Sequence, residues 1–258
     1  MGEIKVVFFY VDGTLAQHNS GNNSSILERI PDSTFQAIDL LQKTEVIPVI
    51  ATGRNRGMIE QVLQKLGINN LIANNGRYVE VNGKVIKHDT FDQQQLKEIV
   101  TFFRNRDIPF CYETAETLYQ NRFSKFIPDS SMTIKQISDT VIPDEVIQLI
   151  VRNETNEQLK VPVKGVKLVK VAHDVYDVTQ DFSNKAVGIS AFMSECQINQ
   201  QQTMAFGDEE NDLEMFKHVH MAIAMGNAPK IVQQAADFVT DPIDQNGILH
   251  GLKHFGLI

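Results

Sequence analysis

A buried strand that ends in a short polar motif is the feature of this sequence that most limits its fold. Residues Ile4 to Val11 are almost all apolar and rich in β-branched and aromatic side chains, and Asp12-Gly13-Thr14 follows them. A strand without a polar face must be covered on both sides, as in a parallel sheet with helices on each face. The run is far shorter than the roughly 18 apolar residues of a membrane span. The sequence therefore favours a covered strand in an α/β domain.

Strands and helices alternate after this first strand. Apolar residues at helical spacing predict a helix over Asp32–Lys43, and the run Val46–Ala51 predicts a second buried strand. An apolar stripe over Met58–Leu66 stops at Gly67, which is typical of a helix with a glycine C-cap, and Leu71–Ala73 predicts a third strand. Such alternation is the pattern of a doubly wound, Rossmann-like parallel sheet.

The middle of the chain has a different pattern. Asn82-Gly83 lies between Tyr78–Val81 and Lys84–Lys87 and predicts a type I′ hairpin. The following residues predict a mixture of antiparallel strands and helices: a helix around Leu96–Phe103, strands at Phe110–Glu113, Leu118–Asn121 and Ile147–Arg152, a helix near Glu154–Leu159 and two strands between Val166 and Thr179.

The first pattern then resumes. It predicts a helix over Lys185–Cys196, strands at Thr203–Phe206 and Ala222–Met225, a helix after Asn211 and a final helix, strand and helix. We therefore predict one α/β core domain formed by residues 1–87 and 181–258, with an α+β cap domain inserted at 88–180.

Charge and cysteine content narrow the classes of partner. The 258 residues hold 24 Lys plus Arg against 32 Asp plus Glu, a formal net charge of −8, which argues against nucleic acid or an anionic membrane surface as a partner. The only two cysteines, Cys111 and Cys196, show no metal-binding spacing, so we expect reduced thiols and a cytoplasmic location. Neither a P-loop nor a dinucleotide-binding fingerprint is present.

Polar clusters follow the strands of the predicted core at the edge where open α/β sheets bind ligands. Each cluster alone has an ordinary structural explanation, such as a turn, a strand end or a helix cap. Together they offer carboxylates for a hard cation such as Mg²⁺ and cations and N–H groups for a phosphate ester. The clusters are Asp12-Gly13-Thr14, Thr52-Gly53-Arg54, Asn74-Asn75-Gly76, Gly207-Asp208 with Asn211-Asp212, and Lys185 at a helix start.

These motifs resemble those of the haloacid dehalogenase superfamily, specifically the Cof-type phosphatases with a large α+β cap. The resemblance covers the whole chain, including the cap position, and is carried by Phe9-Tyr10-Val11-Asp12-Gly13-Thr14-Leu15, Ala51-Thr52-Gly53-Arg54, Asn75-Gly76, Lys185 and Gly207-Asp208-Glu209-Glu210-Asn211-Asp212.

The resemblance implies a two-step mechanism in which an Asp attacks phosphorus and a second Asp protonates the leaving oxygen and then activates water. Asp12 is implied as this acid and base, Thr52 as a hydrogen-bonding partner of the phosphoryl group and Lys185 as its counter-charge. Mg²⁺ is implied at the Asp12 backbone carbonyl, Asp208, Asn211 and Asp212. The residues implied at the substrate are Gly13, Thr14, Gly53, Arg54, Asn75 and Gly76.

The nucleophile position is where this chain departs from the family pattern, because it holds Tyr10 instead of Asp. A phenol is mostly protonated at neutral pH and gives the metal no carboxylate. Tyr10 could fill space at the end of a strand, act as a nucleophile activated by Lys185 or the metal, or be an altered position.

Two functions therefore stay open. The first is a Mg²⁺-dependent phosphatase of small phosphorylated metabolites, such as a sugar phosphate, nucleotide or phosphorylated cofactor, with activity weakened or lost through Tyr10. The alternative is a non-catalytic protein that binds a phosphorylated metabolite or a protein partner. A phosphotransferase or mutase is a third option, and it too would require the missing carboxylate.

Overall fold

The first strand is buried on both faces, as its sequence predicts. In the computed structural model, which describes residues 3–18, 24–124, 133–154, 159–171 and 173–258, β1 spans Val6–Phe9 and every side chain in it is fully buried. Phe8 packs edge-on against Phe192 on one face, and Phe9 stacks on Phe206 on the other. β1 is shorter than the predicted strand because Tyr10 to Ala16 turn back on themselves, with Ala16 N–H donating to Val11 C=O.

The chain forms two compact units. The core unit comprises Met1–Arg54, Ile59–Lys87 and Asn184–Ile258, and the inserted unit comprises Asn55–Met58 and His88–Ser183. Up to the insertion, the elements are β1, α1 (Asp32–Leu41), β2 (Ile47–Ala51), α2 (Arg56–Leu66), β3 (Leu71–Ala73), β4 (Tyr78–Val81) and β5 (Lys84–His88).

The inserted unit is a six-stranded sheet with one helix among its described residues. Its elements are α3 (Gln93–Arg104), β6 (Phe110–Glu113), β7 (Leu118–Gln120), β8 (Ile134–Gln136), β9 (Gln148–Arg152), β10 (Val166–Lys170) and β11 (Val175–Gln180). The strand order is β10-β11-β9-β6-β7-β8, and all neighbours pair antiparallel except β7 and β8, which are parallel. The sequence pattern does not predict β8, and most of the helix predicted near 154–159 lies outside the described residues.

The remaining elements complete the core unit. They are α4 (Lys185–Glu195), β12 (Thr203–Gly207), α5 (Leu213–Phe216), β13 (Met221–Ala224), α6 (Lys230–Ala235), β14 (Phe238–Val239) and α7 (Gly247–His254). The core sheet has the order β14-β13-β12-β1-β2-β3-β4-β5 and is parallel from β14 to β3. The predicted α/β class is confirmed.

The order of the central strands positions the site. β1 lies between β12 and β2, so the loops that follow these three strands leave the sheet at one edge.

The predicted hairpin lies at the other side of the sheet, where Asn82 and Gly83 both have positive φ, as a type I′ turn requires. Among the described residues, no helix is long and apolar enough to cross a membrane.

Candidate active site

The loop after β1 contacts the loops after β12 and β13 through one short hydrogen bond each. Thr14 Oγ1 donates to Asp208 Oδ1 at 2.7 Å, and Asn227 Nδ2 donates to the Gly13 carbonyl at 2.9 Å. Gly13 has φ +79°, and a side chain there would collide with the Asp208 carboxylate and the His18 ring. Position 13 therefore requires glycine for two reasons: its positive φ, and the lack of space for a Cβ beside Asp208 and His18.

Asp12 is held by a two-pronged contact with Arg54. The Arg54 Nε and Nη2 atoms donate to the two Asp12 carboxylate oxygens at 2.7 and 2.9 Å, and Arg29 Nη1 lies 3.7 Å from Asp12 Oδ1. Burial favours the neutral acid, but the hydrogen bonds and charge of Arg54, with the charges of Arg29 and His18, outweigh it and hold the pKa of Asp12 below its usual range. Asp12 is thus ionised at neutral pH in the ligand-free protein.

Tyr10 is buried between a carboxylate and an ammonium group. Its side chain is 6% exposed, its hydroxyl donates to Glu209 Oε2 at 2.9 Å, and Lys185 Nζ lies 3.7 Å from the ring centre. Burial raises the pKa of the phenol far above its ordinary value, and the negative charges of Glu209, Asp212 and Asp12 add to the effect. The cation–π contact with Lys185 needs only the ring and does not ionise the hydroxyl.

Lys185 and Asp212 form a fully buried ion pair behind Tyr10. Lys185 Nζ lies 2.5 Å from Asp212 Oδ1 and 2.6 Å from Asn211 Oδ1, and the two charged side chains are 1% and 0% exposed. Asp212 Oδ2 accepts the backbone N–H groups of Asp208 and Glu209 at 3.0 and 3.1 Å. The pair therefore fixes both the lysine and the loop after β12.

The start of α4 places Lys185. Asn184 is the N-cap, and its side-chain oxygen accepts from Val187 N–H at 3.0 Å. A side chain at Gly76 would collide with the Asn184 carbonyl, so the glycine allows the loop after β3 to approach this helix end.

The loops after β2 and β3 bind each other. Asn75 N–H donates to the Thr52 carbonyl at 3.2 Å, and Arg54 N–H donates to Thr52 Oγ1 at 3.1 Å. The buried Thr52 hydroxyl accepts one bond and keeps its own hydrogen to donate. A side chain at Gly53 would lie 3.1 Å from the Asn75 amide, so the two loops are close-packed. The side chain of Arg54 connects this group to Asp12.

The oxygen ligands present fit a hard cation at Asp208. Burial and the negative charge of Asp212 raise the pKa of Asp208 to about 7, although the hydrogen bond of Thr14 and the charge and hydrogen bond of His18 lower it, so a bound cation would favour the ionised form of this buried acid. Asn211 and Asp212 direct their oxygens to Lys185 and the backbone instead. Over the described ranges, no three His, Cys, Asp or Glu side chains are arranged to hold a metal. Mg²⁺, which uses few carboxylates and keeps several waters, is compatible with Asp208 as its anchor.

A family model for haloacid dehalogenase-like hydrolases matches residues 7–252 of this sequence. The chain belongs to this family. The resemblance in its motifs is thereby confirmed.

Two relatives of known structure and one relative matched by sequence support the same assignment. The sugar phosphatase BT4131, a subclass IIB member of the superfamily, is 28% identical with a TM-score of 0.79 and matches 98% of this chain and 100% of its own. The phosphatase BT1666 from Bacteroides thetaiotaomicron is 28% identical with a TM-score of 0.82, over 99% of this chain and 96% of its own. YkrA of Bacillus subtilis (strain 168), named as a possible phosphatase, is 27% identical over 266 residues and 98% of each chain.

Four further residues contact the site, and the sequence motifs imply a role for none of them. Glu209 pairs with Tyr10, His18 with Asp208, Arg29 lies beside Asp12 and Asn227 fixes Gly13. Asn227 could have been found, because it follows β13 at the same sheet edge as the other clusters. His18 lies outside any helix or strand, and Arg29 ends a single 3₁₀ turn at Leu27–Arg29, so periodicity gives no signal at either residue.

Proposed function

We propose that this chain binds a small phosphorylated metabolite together with Mg²⁺, and that its phosphatase activity is strongly reduced because Tyr10 occupies the nucleophile position. The supporting observation is the buried Tyr10 phenol, hydrogen-bonded to Glu209 among residues that otherwise match the family's site.

A protonated phenol cannot replace a carboxylate in the first step. Attack on phosphorus needs an oxygen lone pair with developing negative charge, and the Tyr10 hydrogen is directed at Glu209, 2.9 Å away. Ionising the phenol would place a negative charge beside Glu209, Asp212 and Asp12, whose charges already raise its pKa. We therefore do not propose a tyrosine nucleophile.

The residues that the resemblance implies for phosphate binding, cation binding and proton transfer are all present in this chain. Lys185 and the Thr52 hydroxyl would hold phosphoryl oxygens, and Asp208 would anchor the cation, which offsets phosphate charge when bound. Asp12 would transfer a proton to or from the leaving oxygen. In the ligand-free protein, the hydrogen bonds and charge of Arg54 keep Asp12 ionised. Asp12 must therefore accept a proton before it can donate one.

The substrate class we propose is a sugar phosphate, with a nucleotide or phosphorylated cofactor as the alternatives. The sugar phosphatase BT4131 is similar to this chain over its full length, which supports the sugar phosphate. We also propose that residues 88–180 act as the cap and select the substrate. The two cysteines are free thiols, in keeping with the proposed cytoplasmic location.

Phosphate release from p-nitrophenyl phosphate tests the proposal. We expect Tyr10→Asp to raise the Mg²⁺-dependent rate at least about a thousandfold over the unmodified protein, since loss of a nucleophile can cost on the order of 10⁶. Tyr10→Phe is the matched control, because it keeps the ring and removes only the hydroxyl, and it should gain nothing. If Tyr10→Asp gains nothing although it folds and binds Mg²⁺, or if Tyr10→Phe abolishes a substantial native activity, the proposal is wrong.

Phosphometabolite binding without turnover is the second candidate function. The observation that favours it is a shared acceptor: Glu209 Oε2 accepts hydrogen bonds from the Tyr10 hydroxyl at 2.9 Å and from Asn211 Nδ2 at 2.8 Å. Tyr10 is therefore bound to the loop after β12. Calorimetry with a sugar phosphate, a nucleoside monophosphate and inorganic phosphate distinguishes the two. Tight binding with no product supports a binding protein, and measurable turnover of any of them rejects it.

A further inference from the structure

The ammonium group of Lys185 is fully occupied by its neighbours in this structure. Such a group has three hydrogens to donate. Lys185 Nζ lies 2.5 Å from Asp212 Oδ1 and 2.6 Å from Asn211 Oδ1, and its third contact is the face of the Tyr10 ring, whose centre is 3.7 Å away. The lysine side chain is 1% exposed. Tyr10 therefore covers the part of the ammonium group that the two oxygen atoms leave open.

We propose that the Tyr10 side chain is a gate on the phosphoryl site: its ring occupies the place of the phosphoryl group in the ligand-free protein and turns away when phosphate binds. The inference rests on the proposed function, in which Lys185 is the counter-charge of that group. It adds that bound phosphate and the closed Tyr10 side chain exclude each other.

The length of the Tyr10 side chain supports this placement. Under the proposed function, the phosphorus atom of a ligand would lie just beyond the carboxylate of an aspartate at position 10. A tyrosine side chain reaches further than an aspartate side chain from the same backbone position. That position is fixed, since Tyr10 N–H donates to the Phe206 carbonyl and the Tyr10 carbonyl accepts from Leu15 N–H. The ring therefore extends into the space of the phosphoryl group, where it contacts Lys185.

A hydrogen bond to Glu209 holds the gate closed. The Tyr10 hydroxyl donates to Glu209 Oε2 at 2.9 Å, so phosphate must replace this bond and the ring contact. If phosphate displaced the oxygen partners of Lys185 instead, the buried Asp212 carboxylate would lose its cation, or the Asn211 amide would lose its bonds to Lys185 and Glu209. Moving the neutral ring leaves no buried charge unpaired, because phosphate takes its place beside the ammonium group.

Near-ultraviolet difference spectroscopy on the unmodified protein tests the gate directly. The chain has five tyrosines and no tryptophan, so the absorption of a single tyrosine can be followed. With Mg²⁺ present, we expect saturating inorganic phosphate to shift part of the tyrosine absorption to shorter wavelength, because the Tyr10 phenol loses its carboxylate acceptor and enters water. Tyr10→Phe should bind phosphate without this shift.

Calorimetry with inorganic phosphate measures how strongly the closed gate opposes binding. Tyr10→Ala removes the ring and the hydroxyl, so we expect it to bind phosphate about 10- to 100-fold more tightly than the unmodified protein. Tyr10→Phe keeps the ring and loses only the bond to Glu209, so its gain should be smaller, about 3- to 10-fold. Tyr119→Phe is the matched control, because Lys135 Nζ lies 6.0 Å from the Tyr119 ring centre in the inserted unit. It should change neither the affinity nor the spectral shift.

Two results would overturn the inference: phosphate binding to the unmodified protein without a change in tyrosine absorption, or equal phosphate affinities in the unmodified protein and Tyr10→Ala. The spectrum needs no variant, so it decides the question even if Tyr10→Ala does not fold. Both results leave the proposed function standing, because phosphate still binds.

The proposed function fails in a different pattern. Phosphate binding to Tyr10→Ala and not to the unmodified protein would keep the gate and reject phosphate binding by the native chain. Binding to none of the proteins would reject both. Tyr10→Asp does not suit this measurement, because its carboxylate would take the hydrogen of Lys185 that the ring leaves and would repel phosphate.

Discussion

The loops after β1 and β12 face each other across the candidate site and differ in how many residues of the family's motifs they retain. The loop after β12 keeps its two aspartates, one paired with buried Lys185 and one bonded to Thr14. The loop after β1 keeps Asp12 but presents a protonated phenol at position 10. Under the proposed function, the residues around the cation anchor and the attacking residue lie on different loops, so the attacking residue can be lost while the loop after β12 stays assembled.

The largest expected effect on stability is in the loop after β12. Lys185→Met leaves Asp212 buried without its cation, so we expect a loss of about 3 to 5 kcal/mol in the free energy of unfolding, measured by urea denaturation. Lys217→Met is the matched control, since Lys217 pairs with Glu214 at 2.6 Å on the exposed surface, and it should cost less than about 1 kcal/mol. Equal losses in the two variants would show that the buried pair does not hold this loop.

Gly13→Ala tests the contact between the two loops. We expect a loss of about 3 kcal/mol, because alanine at φ +79° is strained and its Cβ collides with Asp208. Gly83→Ala has a similar φ of +73° with open space around it, so it isolates the strain and should cost about 1 kcal/mol. If thermal unfolding gives the same shift for both, the close approach of the loops is not real.

Arg54→Met tests whether Arg54 stabilises the ionised Asp12 in the loop after β1. The native pKa of Asp12 is lowered, so its ionic stabilisation is fully present above its unfolded pKa of about 4 and is lost as pH falls through the native value. The variant should therefore be less stable than the unmodified protein by about 1 to 3 kcal/mol at pH 7, and the difference should shrink below about pH 4. A difference that stays constant down to pH 2 would mean that Arg54 stabilises by packing alone.

Asn184→Ala should have the smallest effect. Loss of the cap of α4 is expected to cost about 1 kcal/mol, and because Lys185 follows directly, it should also weaken phosphate binding. Asp92→Ala removes the comparable cap of α3, where Asp92 accepts from Gln94 and Gln95 N–H. It should cost a similar amount of stability and leave phosphate affinity unchanged. Phosphate calorimetry on both variants decides the point.

The sequence predicted the parts of this molecule that follow from local pattern. Periodicity gave the strands of the core, and turn chemistry gave the hairpin at Asn82-Gly83, since those positions depend only on nearby residues. The three-residue strand β8 was missed because it is exposed in part and too short for any alternation. The β1 boundary was placed too late because Tyr10 and Val11 are apolar and buried although they no longer pair as strand.

The sequence motifs predict which loops form the candidate site, but they do not predict how the side chains on those loops pair. Asp212 was expected as a metal ligand, yet the structure directs its oxygens to Lys185 and backbone N–H groups, which depends on how α4 meets the loop after β12. The contacts of Glu209 and His18 depend on packing between residues about 190 to 200 positions apart. Such distances carry no periodic signal in a single sequence.

Turnover and phosphate binding, measured side by side on the unmodified protein and Tyr10→Asp with Mg²⁺ present, test the central claim most directly. We predict inorganic phosphate affinities within about tenfold of each other and hydrolysis rates that differ at least about a thousandfold in favour of Tyr10→Asp. Comparable rates in the two proteins, or phosphate binding by Tyr10→Asp alone, would contradict the claim that this chain keeps the binding groups and lacks only the attacking carboxylate.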